Sequence, residues 1–277
     1  MNKVIICLAL LFFMSTAKLS AYKVYPSSGH QCVEAMNDAS NYPFVATHAD
    51  GIWMMPWNWR NALDNAQQNK IVSNFTSKEM VCEIEIGHFR DTAKGFTFPK
   101  QLDYAIEAGA KVHTLMVYKE PKSILNKEEM QWVINKFGEQ YKLIVSIRRW
   151  MPEYLEVIKM ADGLSFEFQV PAKYPVIWEH VAQAVKWCID NNRPIYLLSP
   201  PGHKNYHLNN AYYQGYKDLL NYLVKELGED YVTSNLLIFA PANYNIAKTQ
   251  INMCPEWETN TTMGVSKYLL EHELYKK

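Results

Sequence analysis

The chain has 277 residues, 28 basic and 28 acidic side chains, and 48% hydrophobic residues. This length and composition exclude a disordered chain and are sufficient for a large domain with a substantial core. The formal net charge of zero excludes a strongly basic surface, so we expect no nucleic acid partner.

Residues 1–21 have the pattern of a secretory signal peptide. Lys3 provides a positive start, Val4 to Met14 is an unbroken apolar segment, and small residues precede a cleavage site after Ala21. The apolar segment is too short to span a bilayer. We therefore expect a secreted or periplasmic protein without stable membrane insertion after cleavage, in which residues 22–277 form a single domain.

Short apolar segments alternate with helical patterns along the rest of the chain. The predicted strands are 43–48, 80–87, 111–118, 142–148, 162–169, 193–199 and 236–241. The predicted helices are 127–137, 152–160, 177–188, 213–227 and 263–274. Strands that alternate with helices in this way predict a parallel sheet.

The length of the chain favours one parallel architecture over another. About 255 residues remain after the signal peptide, which matches the typical size of a (β/α)8 barrel. An open doubly wound sheet usually carries a Gly-rich phosphate-binding turn, and the sequence has none. We therefore predict an α/β fold of the (β/α)8 TIM-like type, whose eighth strand is irregular, lies within 246–256, or is missing.

The alternation of polar and apolar residues predicts which side chains face the barrel axis. The outer face must be apolar to pack against helices, so Glu83 and Glu85 of one strand point inward, as do Arg148 of another and Glu167 with Gln169 of a third. Barrel enzymes place their chemistry at the C-terminal ends of the strands. We therefore expect Glu85, Arg148, Glu167 and Gln169 to reach a substrate, with Glu83 one layer deeper.

Polar and aromatic residues follow several of the predicted strands. His48 and Asp50 come directly after the first predicted strand, which would place them on the same rim as the acids. The next residues include Trp53, Trp57 and Trp59, a suitable platform for stacking on sugar rings. Further residues of this kind come after the sixth and seventh predicted strands: His203, Asn243 and Tyr244. This composition indicates a glycan-binding rim, although a tryptophan-rich loop can also simply pack on the domain.

The favoured functional hypothesis is a secreted glycan-active hydrolase of the glycoside hydrolase type. Cleavage of a glycosidic bond requires one carboxyl group as acid and another as nucleophile or base. Glu167 lies beside Arg148, which favours its ionised form, so it is assigned as nucleophile or base. Glu85 is assigned as the acid. This mechanism needs no cofactor, and its substrate is an oligo- or polysaccharide.

A second hypothesis is a metal-dependent phosphodiesterase. A histidine that ends the first predicted strand, followed by Glu-x-Glu on the second, resembles the pattern of glycerophosphodiester phosphodiesterase and phospholipase-C-like barrels over residues 43–88. The resemblance implies that His48 is the acid or base and that Glu83 and Glu85 hold a divalent cation. Oxygen ligands suit Mg²⁺ or Ca²⁺, and Arg148 would then bind phosphate.

A third hypothesis is a secreted carbohydrate-binding barrel without turnover. In that case the tryptophan-rich segment binds glycan and the inward acids form a structural ion cluster around Arg148.

Overall fold

The computed structural model describes residues 21–27, 41–54, 72–86, 101–119, 124–167, 175–198, 211–241 and 262–276. Within these ranges, eight strands alternate with helices along the chain. The strands are β1 (Lys23–Val24), β2 (Gly51–Met54), β3 (Glu79–Ile86), β4 (Thr114–Lys119), β5 (Lys142–Ile147), β6 (Gly163–Glu167), β7 (Ile195–Leu198) and β8 (Leu237–Ala240).

The helices of the described ranges follow the same order. They are α1 (Tyr42–His48), α2 (Gln101–Glu107), α3 (Lys127–Phe137), α4 (Leu155–Ile158), α5 (Pro175–Asp190), α6 (Ala211–Leu227), α7 (Glu229–Val232), α8 (Thr262–Glu271) and α9 (Glu273–Lys276). A single 3₁₀ turn, Pro152–Tyr154, leads into α4.

The eight strands form one parallel sheet in the order β1-β8-β7-β6-β5-β4-β3-β2. Its two edges meet: Ser27 and Trp53 form a parallel bridge. The Asp50 amide donates to the Val24 carbonyl at 3.0 Å, and the Trp53 amide donates to the Pro26 carbonyl at 3.1 Å. The fold is therefore a (β/α)8 TIM-like barrel, as predicted.

The strands have an apolar outer face and a mixed inner face. The outer positions pack with the helices in one continuous core, for example Cys82, Ile84 and Ile86 of β3. The inner positions form a second, smaller cluster inside the barrel, made of Tyr25, Trp53, Val81, Met116, Ile144, Tyr196, Leu198, Ile238 and Ala240. This division confirms that Glu83 and Glu85, which alternate with the outer residues of β3, lie on the inner face.

The prediction of a strand at 43–48 is wrong. The segment forms helix α1, which has proline at its first turn and ends at His48. β-branched and aromatic residues suit a strand, but proline at the start of a helix is equally favourable, and Val45 of this helix packs into the core. The first two strands are instead β1 and β2, which the sequence pattern did not indicate.

The remaining predicted strands and helices match the observed elements to within a few residues. The helix predicted at 127–137 has these bounds, and Asn126 caps it: its side chain accepts from the Glu129 amide at 2.9 Å, and Glu129 accepts from the Asn126 amide at 2.8 Å. The alternative place for an eighth strand, 246–256, lies outside the described residues. Residues 1–20, most of the predicted signal peptide, also lie outside them.

No helix within the described ranges has both the length and the apolar character needed to cross a bilayer.

Candidate functional site

The candidate site lies at the C-terminal ends of β3 to β6, on the inner face of the barrel. Glu85 of β3 is paired in register with Tyr118 of β4. Ile147 of β5 is paired with Phe166 of β6, so that Arg148 and Glu167, one residue further along, are level with each other. Alternation along adjacent parallel strands thus brings these side chains to one mouth of the barrel.

Arg148 and Glu167 form a bidentate ion pair. The Arg148 Nε donates to Glu167 Oε2 at 2.6 Å, and Nη2 donates to Oε1 at 2.7 Å. The two side chains are 33% and 18% exposed, so the pair is reachable from solvent. Both carboxylate oxygens accept hydrogen bonds from the guanidinium fork, which fixes the plane of the carboxylate. The predicted proximity of Arg148 to Glu167 is confirmed.

The two acids of β3 accept hydrogen bonds from neighbouring strands. The Trp53 indole Nε1 donates to Glu83 Oε2 at 3.2 Å, and the Tyr118 hydroxyl donates to Glu85 Oε2 at 3.3 Å. Both carboxylates are half-buried. These donors orient the acids at two successive levels of the inner face, with Glu83 deeper, as its place along β3 predicted.

A cleft of about 330 Å³ opens beside this group of side chains. Its lining residues within the described ranges are Tyr118, Lys119, Ile124, Ser146, Ile147, Arg148, Arg149, Met151, Tyr154 and Glu167. Lys119 donates to Glu129 Oε1 at 2.6 Å, and Glu129 also caps helix α3. One wall of the cleft is therefore tied to the N-terminus of α3, while Tyr118 connects the cleft to Glu85.

His48 and Asp50 are not on this rim, which corrects the sequence prediction. Because 43–48 is a helix, both residues precede β2 and lie at the N-terminal end of the barrel. Gly51 pairs with Glu79, and Glu85 is six residues further along β3, which corresponds to about 20 Å. His48 stacks on Phe44, at 4.1 Å between ring centroids, and its Nδ1 lies 2.8 Å from the Phe44 carbonyl oxygen.

Asp50 has a structural environment at that end. Its Oδ2 accepts from the Val24 amide at 2.9 Å and lies 3.4 Å from the Tyr275 hydroxyl. Burial raises the pKa of Asp50, while the hydrogen bond from Val24 and the charge of Lys23 act in the opposite direction. Asp50 therefore joins β1, β2 and α9.

The sequence predicted that Trp53 belongs to an exposed platform, and this prediction is wrong. Trp53 belongs to β2, its side chain is fully buried within the barrel, and its ring lies 5.7 Å from that of Tyr196. Its contribution to the site is the hydrogen bond to Glu83. Six other candidate residues lie outside the described residues, so their proposed roles stay predictions: Trp57, Trp59, Gln169, His203, Asn243 and Tyr244.

The arrangement that the phosphodiesterase hypothesis requires is not assembled. Its histidine, His48, lies at the opposite end of the barrel from Glu83 and Glu85. Within the described ranges, no three His, Cys, Asp or Glu side chains come together in a way that could hold a metal ion. The resemblance over 43–88 thus depended on a strand that is in fact a helix.

The structure adds a fourth inward acid that the sequence analysis missed, Glu79 at the N-terminal end of β3. It accepts hydrogen bonds from three hydroxyl groups: Tyr25 at 2.6 Å, Thr114 at 3.1 Å and Tyr196 at 3.4 Å. Gly51 makes room for this group, since a Cβ there would lie 2.6 Å from the Tyr25 ring. The alternation that places Glu83 and Glu85 inward extends to Glu79, but the predicted strand began one residue later.

Glu79 is ionised despite its position. Burial favours its protonated form, but the hydrogen bonds from Tyr25 and Thr114 and the charges of Lys23 and Lys142 prevail, and the pKa of Glu79 is lowered. Burial, together with the Glu79 charge, raises the pKa of Tyr25, which keeps its hydroxyl a donor.

Neither a protein-family model nor a curated protein sequence matches the chain. Among solved structures, it is similar to an archaeal fructose 1,6-bisphosphate aldolase, with 13% identity, a TM-score of 0.45 and coverage of 97% of this chain and 99% of that one. It is also similar to a GH10 endoxylanase from a sugarcane soil metagenome, with 7% identity, a TM-score of 0.49 and coverage of 89% and 97%.

A third similar structure is a methylaspartate ammonia lyase from Clostridium tetanomorphum, with 11% identity and a TM-score of 0.43. The match covers 94% of this chain, which spans 62% of the length of the lyase. The strand order of this chain itself shows the barrel fold.

Proposed function

We propose that the protein is a glycan-active hydrolase that acts after export, with the barrel mouth as its active site. The observation that carries the proposal is the pair of inward carboxylates, Glu85 on β3 and Glu167 on β6, at the C-terminal mouth beside an open cleft. Hydrolysis of a glycosidic bond needs two carboxyl groups that can approach one sugar from different directions. The separation of β3 and β6 around the barrel supplies two such directions.

The different partners of the two carboxyls support different roles. Glu167 accepts two hydrogen bonds from Arg148, an arrangement that needs the ionised carboxylate, and we assign it as nucleophile or base. The Tyr118 hydroxyl, a neutral group, is one partner of Glu85, and we assign Glu85 as the acid. In this scheme Glu85 gives its proton to the glycosidic oxygen as the bond to the anomeric carbon breaks. Glu167 attacks that carbon or takes a proton from the attacking water.

The substrate in this proposal is an oligo- or polysaccharide. Tyr118 and Tyr154 give the cleft aromatic surface for a sugar ring. From the sequence, we propose that Trp57, Trp59, Gln169, His203, Asn243 and Tyr244 extend the binding surface. The predicted signal peptide fits a substrate found outside the cytoplasm.

The test is hydrolysis of a panel of soluble plant, microbial and animal polysaccharides, followed by mass spectrometry of the released oligosaccharides. The wild type is compared with Glu85→Gln, Glu167→Gln and the matched control Glu139→Gln, whose side chain is exposed in the turn after α3. We expect the wild type and the control to cleave at least one polysaccharide, and the two site variants to leave it intact. Cleavage by Glu167→Gln at the wild-type rate contradicts the proposal.

The same assay separates the proposal from its alternatives. Hydrolysis that persists in EDTA, with no cleavage of bis(p-nitrophenyl) phosphate, is the result we expect. Cleavage of the phosphodiester that EDTA abolishes would instead support the phosphodiesterase hypothesis. Binding of a polysaccharide without cleavage would support the non-catalytic barrel.

A further inference from the structure

Arg149 differs from the other cations of the cleft because it has no acidic partner among the described residues. Arg148 pairs with Glu167, and Lys119 pairs with Glu129. Arg149 also lines the cleft and is exposed. Across the described part of the chain, no hydrogen bond or ion pair joins the Arg149 guanidinium to another residue. Its five donors are therefore available to a ligand in the cleft.

The charges of the cleft are consequently unbalanced. Its described lining includes three cations, Lys119, Arg148 and Arg149, and a single acid, Glu167. Glu129, behind the wall, offsets Lys119. One positive charge remains, and Arg149 carries it. A net positive charge on the described lining of the cleft, in a protein of zero formal net charge, favours an anionic ligand over a neutral one.

We propose that Arg149 binds the carboxylate of a uronic acid residue, so that the substrates are acidic glycans. This inference rests on the proposed glycan activity and specifies its substrate class. A guanidinium fork matches a carboxylate in two parallel hydrogen bonds, which a neutral hydroxymethyl group in the same place cannot accept. Discrimination between a uronate and the corresponding neutral sugar follows from that difference.

The position of Arg149 places this contact close to the proposed reaction. Its Cα lies about 3.8 Å from that of Arg148, the residue that holds Glu167. Arg149 and the proposed nucleophile Glu167, which Arg148 holds, line the same cleft. Tyr154 and Met151, on the same cleft, give apolar surface for the face of that sugar.

The test measures binding, so that it does not depend on turnover. In the Glu85→Gln background, calorimetry compares oligogalacturonates, oligomannuronates and glucuronate-containing oligosaccharides with their carboxyl-reduced counterparts. Arg149→Gln removes the proposed contact. Lys111→Gln is the matched control, because Lys111 is exposed before the N-terminal end of β4, away from the cleft.

We expect at least one acidic oligosaccharide to bind about tenfold or more tightly than its reduced counterpart. Arg149→Gln should abolish this preference and Lys111→Gln should retain it. Equal affinity for acidic and reduced oligosaccharides, the absence of binding by either, or a preference unchanged in Arg149→Gln overturns the inference.

The result is distinguishable from the outcome for the proposed function. Hydrolysis of neutral glycans at a rate that Arg149→Gln does not change would overturn the acidic specificity and leave the hydrolase intact. Binding of uronates that depends on Arg149, without cleavage of any glycan by the wild type, would retain the specificity and overturn hydrolysis.

Discussion

The two ends of the barrel hold inward acids from the same strand in different ways. At the N-terminal end, Glu79 accepts hydrogen bonds from Tyr25, Thr114 and Tyr196, three hydroxyls that belong to the surrounding strands. At the C-terminal mouth, Glu85 accepts a hydrogen bond from Tyr118, and Tyr118 lines an open cleft. Alternation along β3 places both acids inward, so the surroundings determine what each acid does.

The comparison shows how a barrel can separate stability from chemistry. The three hydroxyl donors around Glu79 are buried or nearly so, and each needs an acceptor, which makes Glu79 part of the packing. The two acids at the mouth, Glu85 and Glu167, are oriented by neighbouring side chains but remain partly exposed to solvent. We therefore expect substitutions at the two ends to affect different measurements.

The largest expected effect is on catalysis at the mouth. Glu85→Gln and Glu167→Gln should each lower kcat/KM by about 10³-fold, because each removes a group that acts directly on the glycosidic bond. The free energy of unfolding should change by less than about 1 kcal/mol, since both carboxylates are partly solvated. Steady-state hydrolysis and urea unfolding of the same preparations measure the two quantities. A fall in stability that accounts for the lost activity would refute this prediction.

The next effect concerns the other end of the barrel. Glu79→Ala should lower the free energy of unfolding by about 2 kcal/mol or more, because Tyr25, Thr114 and Tyr196 lose their shared acceptor. At a temperature where the variant is folded, its kcat/KM should equal that of the wild type. Urea denaturation followed by circular dichroism gives the first value. Unchanged stability would show that water replaces the carboxylate at no cost.

A dependence on pH follows from the lowered pKa of Glu79. Burial raises it, but hydrogen bonds from Tyr25 and Thr114 and the nearby lysines bring it below its ordinary value of 4.5. The ionised carboxylate therefore stabilises the fold fully above about pH 4.5, and this contribution is lost as the pH falls through the folded pKa. Below pH 4.5, the stability of the wild type should fall more steeply than that of Glu79→Gln. Parallel curves would argue against this role.

The smallest effect compares two matched hydroxyl deletions. Tyr25→Phe removes the 2.6 Å hydrogen bond to Glu79 and should lower the free energy of unfolding by about 1 kcal/mol. Tyr118→Phe removes the 3.3 Å hydrogen bond to Glu85 and should cost less stability, but it should shift the alkaline limb of the activity profile, which reports the proposed acid. Equal losses of stability, with an unchanged pH profile for Tyr118→Phe, would remove the distinction between the two ends.

Much of the fold and part of the site could be predicted from the sequence because strand periodicity is a strong local signal. The alternation in β3 and β6 correctly placed Glu83, Glu85 and Glu167 on the inner face, and the pairing of Arg148 with Glu167 followed from that alternation. Six of the eight strands were located in this way. Strands β1 and β2, of two and four residues, are too short for any periodicity.

The errors arose where local preference and tertiary context disagree. The segment 43–48 has the composition of a strand, but it forms a helix, and this moved His48 and Asp50 to the opposite end of the barrel. Trp53 was expected on a loop for the same reason. Among the described residues, Glu129 and Glu167 pair with Lys119 and Arg148 and not with Arg149, and sequence spacing does not reveal such pairings.

The most direct test of this account is a parallel measurement on Glu79→Gln and Glu85→Gln, two identical changes on one strand. Hydrolysis of the best glycan and the free energy of unfolding are determined for each variant and for the wild type. The account predicts that Glu85→Gln loses hydrolysis and keeps its stability, while Glu79→Gln loses stability and keeps hydrolysis. Full hydrolysis by Glu85→Gln, or loss of hydrolysis by a folded Glu79→Gln, would contradict the assignment of catalysis to the C-terminal mouth.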